Sequence, residues 1–416
     1  MTAHSRFVRV LSRHDILSLC LMIFSADVVS GIIAPNFALY ATSIGATMAL
    51  VGTLTAVEGL SRIVVSVPVG LASDRCGRKP VLVGGMATFA LASLGYTVAP
   101  NPYWLLPCKA LVGVAMVGTF FVGMAYIGDV VDTRDRGPAI GLYTTFMGSG
   151  FALGSAVGGA ASSRWGFAGS YYVAAGVAML GALIALWGLK GRPAGQSSAQ
   201  SSAPVTRSRR SAWALLGHSR PLLAACVANL CNNMWYSGLV ASFFAVYADQ
   251  IGLPTAIIGS IFALRAVMST IARLPTGLAS GRLSSRRLMV VALGLAAAAI
   301  MGIQATSSTA LLAVLLAVEG VAYGMFLTSG QAFVTNHFDD ATRGAAVGVY
   351  STAGGIGSTG GPLVLGLIAQ LWGVRPVFWA MALLIVLGVG VIMAIGEPRP
   401  TTAPETLAQT EVTHAS

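Results

Sequence analysis

Long apolar stretches follow one another along almost the whole chain and are separated by short groups of polar and charged residues. Most stretches reach about 20 residues, the length that an α-helix needs to cross the hydrocarbon core of a bilayer. Short segments of alternating polarity, which predict a transmembrane β-barrel, are absent from the sequence. The pattern therefore predicts an all-α polytopic membrane protein. Its twelve transmembrane helices, numbered here as spans one to twelve, are expected at 15–40, 47–72, 79–99, 102–130, 137–161, 168–190, 221–248, 254–280, 286–306, 308–337, 343–371 and 376–396.

Composition indicates that lipid is the main solvent of this chain. Of its 416 residues, 55% are hydrophobic and 9% are charged, and the mean hydropathy is +0.77. A soluble protein has about 25% charged residues. The five cysteines are scattered and show neither a metal-binding spacing nor a disulfide framework. We therefore expect the lipid bilayer as the principal partner and no metal ion or other cofactor.

The net charge of +11 is distributed according to the order of the predicted spans. Nineteen of the 25 Lys and Arg residues lie in segments on one side of the membrane, two lie on the other side, and four lie within spans. Basic loops favour the cytoplasmic side, so both termini are predicted to be cytoplasmic. The positive charge is thus a consequence of topology and anionic lipid, and nucleic acid is not an expected partner.

A single shift of 207 positions superimposes the two halves of the sequence. It carries 70–73 onto 277–280, Arg136-Gly137 onto Arg343-Gly344, and Trp165-Gly166 onto Trp372-Gly373. Shared hydropathy alone does not align single Arg, Trp and Gly positions in this way, so the chain is predicted to contain two six-helix halves in the same orientation. The predicted organisation is an N-tail at 1–14, a bundle at 15–190, a Ser-, Ala-, Pro- and Gly-rich linker at 191–220, a second bundle at 221–396 and a C-tail at 397–416.

A charged loop, GLASDRCGRKPVL at 70–82, joins predicted spans two and three. Its glycines permit a tight turn between two closely spaced helices. Its arginines and lysine fit a solvated cytoplasmic loop, and Arg78 can also pair with Asp74 and with Asp129 at the end of span four. The candidate residues of this loop and its partner are Gly70, Asp74, Arg75, Gly77, Arg78 and Asp129.

The loop resembles the signature between spans two and three of the major facilitator superfamily. The resemblance extends over essentially the whole chain, because twelve spans, duplicated halves and a long central loop are all shared. It implies the major facilitator fold, secondary active transport, and a cytoplasmic gate formed by Asp74, Arg78 and Asp129. The second-half copy departs from the signature, with Gly281 and Ser284 at the positions of Asp74 and Gly77.

Span five contains glycines at close to every fourth position. Such spacing lets helices pack closely in lipid. The run also resembles the antiporter signature of the same superfamily, which ends in Gly-Pro-x-x-Gly-Gly. Ser155 stands at the proline position, whereas the second half has the Gly-Pro pair at 361–362. The predicted helix-packing residues are Gly150, Gly154, Gly158, Gly159, Gly361 and Pro362.

Several ionisable residues lie near the middle of predicted spans, where an uncompensated charge is costly and marks a functional candidate. Glu58 and Arg62 are four residues apart and can form a local ion pair. Asp27 and Glu319 have no basic neighbour three or four residues away on their own helix, so they are the stronger candidates for carrying a proton. Arg273 lies nearer the cytoplasmic end and is interpreted as a gate or snorkelling residue. The mid-span set is Asp27, Glu58, Arg62, Lys109, Arg265 and Glu319.

The resemblance also implies that spans one, four, seven and ten line a central cavity. On this chain that places Asp27, Lys109 and Glu319 in one chamber with a polar and aromatic cluster of span seven. Amide and aromatic side chains suit an amphipathic ligand. Asp27 precedes Pro35 by eight residues, which is similar to the first span of drug:proton antiporters, and Lys109 or Arg62 is expected to balance its charge. The cluster is Asn232, Asn233, Trp235 and Tyr236.

No phosphate-binding loop, nucleophile elbow or zinc spacing occurs in the sequence, so an enzyme is not expected and an ion gradient is the expected energy source. The sequence and the resemblance together predict a proton-coupled exporter of small amphipathic or drug-like molecules. They leave open a proton-coupled uptake symporter for an organic anion or sugar-like solute, and a non-transporting membrane sensor or scaffold. The expected setting is a monomer in a bacterial plasma membrane.

Overall fold

The computed structural model describes residues 13–132, 135–191, 219–280, 283–338 and 340–395. These residues are almost entirely helical and contain no β-strand. The predicted N-tail, linker and C-tail lie almost wholly outside the described residues. The all-α prediction is confirmed.

Ten helices of the described chain are long and apolar enough to cross a membrane. They correspond to all predicted spans except the seventh, with spans five and six joined in one helix. Their bounds are His14–Ser43, Met48–Cys76, Arg78–Thr97, Pro102–Val130, Arg136–Gly188, Thr255–Ala279, Ser285–Gln304, Thr309–Thr335, Thr342–Trp372 and Arg375–Ala394.

The helix Arg136–Gly188 contains two spans. Its 53 residues would measure about 80 Å as one straight helix, more than twice the thickness of a hydrocarbon core. Gly166 interrupts it with φ 73° and ψ 175°, a conformation that residues with a Cβ avoid. The chain therefore turns at Gly166, and the pieces on either side are spans five and six.

Span seven is interrupted by a π-helical segment, as span four is at Val117–Phe121. It consists of the helix Arg220–Asn233, a π-helical segment Met234–Val240 and the short helix Phe244–Gln250. A π-helical turn widens the backbone spiral and often occurs at functional sites. With span seven and the divided helix counted, the described chain contains the twelve predicted spans.

The sequence repeat extends to the backbone conformation. Gly45 and Gly252 are related by the shift of 207 residues and have φ 95° and 85°. Gly166 and Gly373 are related in the same way and have φ 73° and 88°. Each pair ends or turns a helix with a left-handed residue, which glycine adopts without steric cost. The two halves therefore have the same backbone conformation at these turns.

Glycines set the packing within each half. A Cβ on Gly154 of span five would lie 2.8 Å from Val28 Cα of span one, and a Cβ on Gly361 of span eleven would lie 2.8 Å from Met234 Cα of span seven. The backbones of these helices thus touch at positions related by the repeat. In lipid, such close contact supplies van der Waals attraction that the hydrophobic effect cannot.

The two halves touch each other at a second pair of repeat-related glycine contacts. A Cβ on Gly366 would lie 3.1 Å from Gly52 Cα, and a Cβ on Gly159 would lie 2.9 Å from Gly259 Cα. Both contacts lie toward the end of the bundle where spans one and seven finish, which we call the closed face. We call the other end, which holds Arg78, the charged face.

The halves separate toward the charged face. Several glycines near this face have no atom within 4 Å of the place where a Cβ would lie, as is also true of the turn glycines at the closed face. The described contacts between halves lie at the closed face and at mid-depth, so the space between the halves opens toward the charged face. These open glycines are Gly70, Gly137, Gly141, Gly344 and Gly348.

Candidate transport site

The first half contains an ion pair between spans two and four. Lys109 Nζ lies 2.7 Å from Glu58 Oε2, and Arg62 Nη2 lies 3.9 Å from Glu58 Oε1. Lys109 Nζ is also 3.8 Å from the centre of the Phe37 ring. Glu58 therefore has Lys109 as its hydrogen-bonded partner, and Arg62 is a second, looser neighbour. A local Glu58–Arg62 pair was the contact that helix spacing alone predicts.

The second half contains the corresponding ion pair between spans eight and ten. Arg265 donates from Nε to Glu319 Oε2 and from Nη2 to Glu319 Oε1, and the Nη2–Oε1 distance is 2.9 Å. The side chains are 3% and 0% exposed. Glu319 has no basic neighbour three or four residues away on its own helix, as expected from the sequence, but Arg265 reaches it from the neighbouring helix. Bidentate pairing of this kind is both strong and geometrically specific.

The two ion pairs have opposite polarity. The shift of 207 residues carries Glu58 onto Arg265, so the acid of the first pair occupies the place of the base of the second. In each pair the partner comes from the fourth helix of the same half. Each pair is therefore neutral and lies within one half.

Asp27 of span one differs from both pairs. It is 9% exposed and makes no hydrogen bond or ion pair with the described residues. A Cβ on Gly150 of span five would lie 3.2 Å from the Asp27 Cβ, so Asp27 packs against the glycine run of that span. Lys109 is bound to Glu58, and a role for Lys109 or Arg62 in balancing the charge of Asp27 stays a prediction. Asp27 is therefore the mid-depth acid of the described spans that has no cation at hydrogen-bonding distance.

Aromatic side chains separate Asp27 from the second-half pair. The rings of Tyr236 and Tyr323 are stacked at 4.7 Å, and the Arg265 guanidinium lies 4.8 and 4.9 Å from their centres. Tyr323 was not predicted, because a single tyrosine in an apolar span carries no signal that separates it from packing.

The predicted cluster of span seven divides between two surroundings. Asn233 donates a hydrogen bond to Asn229 Oδ1 at 2.9 Å and lies against span eleven. Asn232 and Trp235 are fully buried, and their side-chain polar atoms have no partner among the described residues. Tyr236 alone joins the charged groups directly. Trp235 contacts the edge of Tyr323 at 6.2 Å.

At the charged face, Arg78 connects spans two, three and four. It lies 2.6 Å from Asp74 Oδ1 and 2.9 Å from Asp129 Oδ2, and it donates to Ser73 Oγ at 2.9 Å. Gly77, at φ 89°, makes the turn that brings them together. The contacts anticipated for Asp74, Arg78 and Asp129 are present, and their role as a gate stays a prediction. Gly70 and Arg75 take no part in this network.

The second half uses a different contact at this face. Arg286 occupies the place of Lys79 under the repeat and donates to the Met393 carbonyl oxygen at 3.1 Å. Its acceptor among the described residues is thus the end of a helix, whereas in the first half Arg78 binds two carboxylates. Two further contacts of the first half, Arg13 to Asp15 at 3.0 Å and Arg136 to the Gly128 carbonyl at 2.7 Å, were not predicted.

The comparisons with known proteins agree with this geometry. The chain is 22% identical over 350 residues to an uncharacterised MFS-type transporter of Methanocaldococcus jannaschii, covering 84% of this chain and 89% of that protein. It is 31% identical over 148 residues to a gallate transporter of Pseudomonas putida, covering 35% of this chain and 31% of that protein.

A solved structure shows the same fold. The inward-facing, unoccupied form of a bacterial homologue of the human lysosomal transporter Spinster superimposes with a TM-score of 0.78 at 16% identity, over 95% of this chain and 98% of the other. The family model of the Major Facilitator Superfamily matches residues 19–257 and 233–415. With its twelve spans, duplicated halves and charged-face loop, the chain belongs to the Major Facilitator Superfamily.

Proposed function

We propose that the protein is a proton-coupled secondary transporter in which Asp27 carries the proton. The observation that supports this is the difference among the mid-depth acids of the described spans. Glu58 and Glu319 are held by cations at hydrogen-bonding distance, whereas Asp27 has no such partner. A carboxyl group that is buried and unpaired can change its protonation state without breaking an ion pair.

Export of small amphipathic or drug-like molecules is the first candidate for the direction of transport. It rests on the resemblance of Asp27 and Pro35 to the first span of drug:proton antiporters. The contact of Gly150, Gly154 and Gly158 with span one agrees with it, because the antiporter-like glycine run packs directly beside Asp27.

Uptake of an organic anion together with a proton is the second candidate, and a specific observation favours it. Arg62 and Arg273 lie in the central region without a hydrogen-bonded acid, so positive charge is in excess there. The relative from Pseudomonas putida is a gallate transporter by name, and gallate is an organic acid. Both candidates place the proton on Asp27.

Purified protein in liposomes distinguishes the two directions. Counterflow of ethidium and of benzoate is measured under an imposed pH difference while internal pH is recorded. Substrate and protons that move in opposite directions support export, and movement in the same direction overturns the export proposal and supports uptake.

The Asp27→Asn variant tests the proton site in the same liposomes. Asparagine imitates the protonated acid, so the variant should exchange substrate for substrate and yet fail to accumulate it under a pH difference. Asp249→Asn, the same change at an exposed position at the end of span seven, should behave as the unchanged protein. Full pH-driven accumulation by Asp27→Asn would show that Asp27 does not carry the proton.

A further inference from the structure

Two hydrogen-bonding contacts join span two to the second half of the protein at the closed face. The backbone N–H of Met48 donates to Gln370 Oε1 of span eleven at 3.1 Å. One turn further along span two, Thr55 Oγ1 lies 3.2 Å from Ser242 Oγ of span seven. Span two is therefore tied to two helices of the opposite half, in addition to the glycine contact that it makes with span eleven.

Gln370 acts as a helix cap that comes from the other half. The first N–H groups of a helix have no acceptor within that helix. In span two, Thr47 accepts from the Leu50 N–H at 3.2 Å, and Gln370 accepts from the Met48 N–H. Gln370 lies in the last turn of span eleven, so this cap exists only while spans two and eleven are together at the closed face.

The contact of Thr55 with Ser242 is buried on both sides. Ser242 directly follows the π-helical segment Met234–Val240, and its Oγ atom also lies 2.8 Å from the carbonyl oxygen of Ser237. A hydroxyl group can donate and accept at once. Separating spans two and seven would leave these polar groups in a dry interior with fewer partners, which is unfavourable.

Spans seven and eleven are themselves joined beside this place. Pro362 has no N–H, so the Ser358 carbonyl of span eleven lacks the donor that a regular helix supplies four residues on. Ser237 Oγ of span seven donates to that carbonyl at 2.8 Å. The three spans are thus linked pairwise at the closed face, and we call them the bonded corner. It is defined by the contacts Met48–Gln370, Thr55–Ser242 and Ser237–Ser358.

The repeat-related corner, formed by spans eight, one and five, lacks the residues that make these contacts. Span eight begins after Pro254, which provides no side-chain cap. Ser30, the counterpart of Ser237, donates within its own helix to the Ala26 carbonyl at 3.1 Å. Across the halves, this second corner is held by the backbone contact of Gly159 with Gly259, and we call it the packed corner. The shift of 207 residues replaces Gln370, Thr55, Ser242 and Pro362 by Ser163, Phe262, Pro35 and Ser155.

We propose that the bonded corner is a hinge, which stays together while spans five and eight separate to open the closed face. Helices held by packing alone can part without losing directional bonds, whereas spans two, seven and eleven would have to break a cap and a buried hydroxyl contact. The first opening at the closed face is therefore on the side of spans five and eight. This inference does not depend on which residue carries the proton or on the direction of transport.

Distances between spin labels across the two corners test the hinge in the full-length protein in lipid nanodiscs. The label pairs Ser43–Leu371 and Gln250–Arg164 are related by the repeat, and all four positions are exposed. In a Cys76→Ser background, the Gln250–Arg164 distances should be spread more widely and include a longer component. Equal spread of the two pairs, or a wider spread of Ser43–Leu371, overturns the proposal, and this comparison needs no variant of the corner itself.

Substitutions of Gln370 separate a cap from simple packing. Gln370→Met keeps the length of the side chain and removes the acceptor, so it should raise the separated fraction of the Ser43–Leu371 pair about fivefold. Gln370→Glu keeps an acceptor and should leave the distances narrow. Ser163→Ala, at the repeat-related position, should change neither label pair. Identical distances in the Gln370→Met and Gln370→Glu variants would show that Gln370 only packs, and would overturn its role.

Hydrogen exchange of backbone amides provides an independent measurement on the protein without labels. Peptides that cover 48–56 of span two should exchange more slowly than peptides that cover 255–263 of span eight. Gln370→Met and Ser242→Ala should each speed exchange in 48–56 and leave 255–263 unchanged. Acceleration of both segments to the same extent would mean a general loss of stability, and no acceleration would mean that these contacts do not hold the corner; either result overturns the hinge.

Discussion

The two halves of the protein hold a buried ion pair at the same place and differ in how firmly they hold it. In the second half, Arg265 and Glu319 are at most 3% exposed, make a bidentate contact and lie against two tyrosine rings. In the first half, Lys109 and Glu58 are 6% and 15% exposed and make a single contact beside a second cation, Arg62. We therefore expect the second-half pair to stay intact, and Glu58 of the first-half pair to be able to exchange Lys109 for Arg62.

Two other groups of charged residues also occur in the first half and have no counterpart in the described part of the second. The repeat carries Asp27 onto Met234, so the unpaired acid exists in the first half only. The carboxylates around Arg78 likewise have no counterpart around Arg286 among the described residues. The glycines that set helix contacts are shared, as at Gly154 and Gly361. The two halves thus share the helix packing. The unpaired mid-depth acid and the carboxylates near Arg78 occur in the first half.

The largest expected effect comes from removing the acid of each pair in turn. Glu319→Gln leaves the Arg265 guanidinium buried and unpaired, and arginine cannot lose its proton. We expect a loss of about 3–5 kcal/mol in stability, seen as a lower midpoint of thermal unfolding in detergent and a lower yield. Glu58→Gln should cost less, because Lys109 can lose its proton and is closer to the open space.

A double variant checks that the loss comes from the unpaired charge. Glu319→Gln combined with Arg265→Met removes both charges and should recover most of the stability, since a neutral replacement leaves no uncompensated ion. Equal destabilisation by Glu58→Gln and Glu319→Gln would contradict the difference between a fixed and an exchangeable pair.

The fold could be predicted because its signals are local or repeated. Apolar length defines the spans, and the shift of 207 residues relates single glycines such as Gly45 and Gly252, which then adopt the same φ. The sequence did not reveal the interruption of span seven at Met234–Val240. A π-helical turn depends on how a helix packs against its neighbours, and the residues there are compatible with a regular helix.

The site could be predicted as a set of residues but not as a set of contacts. Depth within a span identified Asp27, Glu58 and Glu319. Pairing needs contacts between helices, and Lys109 is 51 residues from Glu58 along the chain, so helix spacing could suggest only Arg62. Arg273 was interpreted from its depth alone as a gate or snorkelling residue, and that role stays a prediction.

The glycine contacts between the halves should have the second-largest effect. Gly52→Ala and Gly259→Ala each place a methyl group against the backbone of the opposite half at the closed face. Overpacking of this kind costs about 1–3 kcal/mol, and the protein can avoid it by separating the halves there. Both variants should therefore shift the protein toward a state that is open at the closed face.

Distances between spin labels at Ser43 and Gln250, which are both exposed at the closed face, measure this shift. A Cys76→Ser background suffices, because the other four cysteines are buried. Gly84→Ala and Gly294→Ala are matched controls, since nothing lies within 4 Å of a Cβ at either position, and they should leave the distance unchanged. A shift with only one of the two variants would mean that the halves are not equivalent at this face.

The smallest expected effect concerns Asp74 in the charged network of the first half. Its side chain is 52% exposed, so solvent screens its contact with Arg78 and the pair contributes about 1 kcal/mol or less. Asp74→Asn should slow substrate transport in liposomes a few-fold and leave equilibrium binding unchanged, because the network lies far from the central region.

Asp129→Asn should slow transport more than Asp74→Asn, since the Asp129 side chain is only 18% exposed. Arg75→Gln changes an exposed neighbour outside the network and should have no effect. Equal losses of binding and transport in Asp74→Asn would show instead that the network supports folding, and the contrast with Arg286 in the second half would then concern stability and not gating.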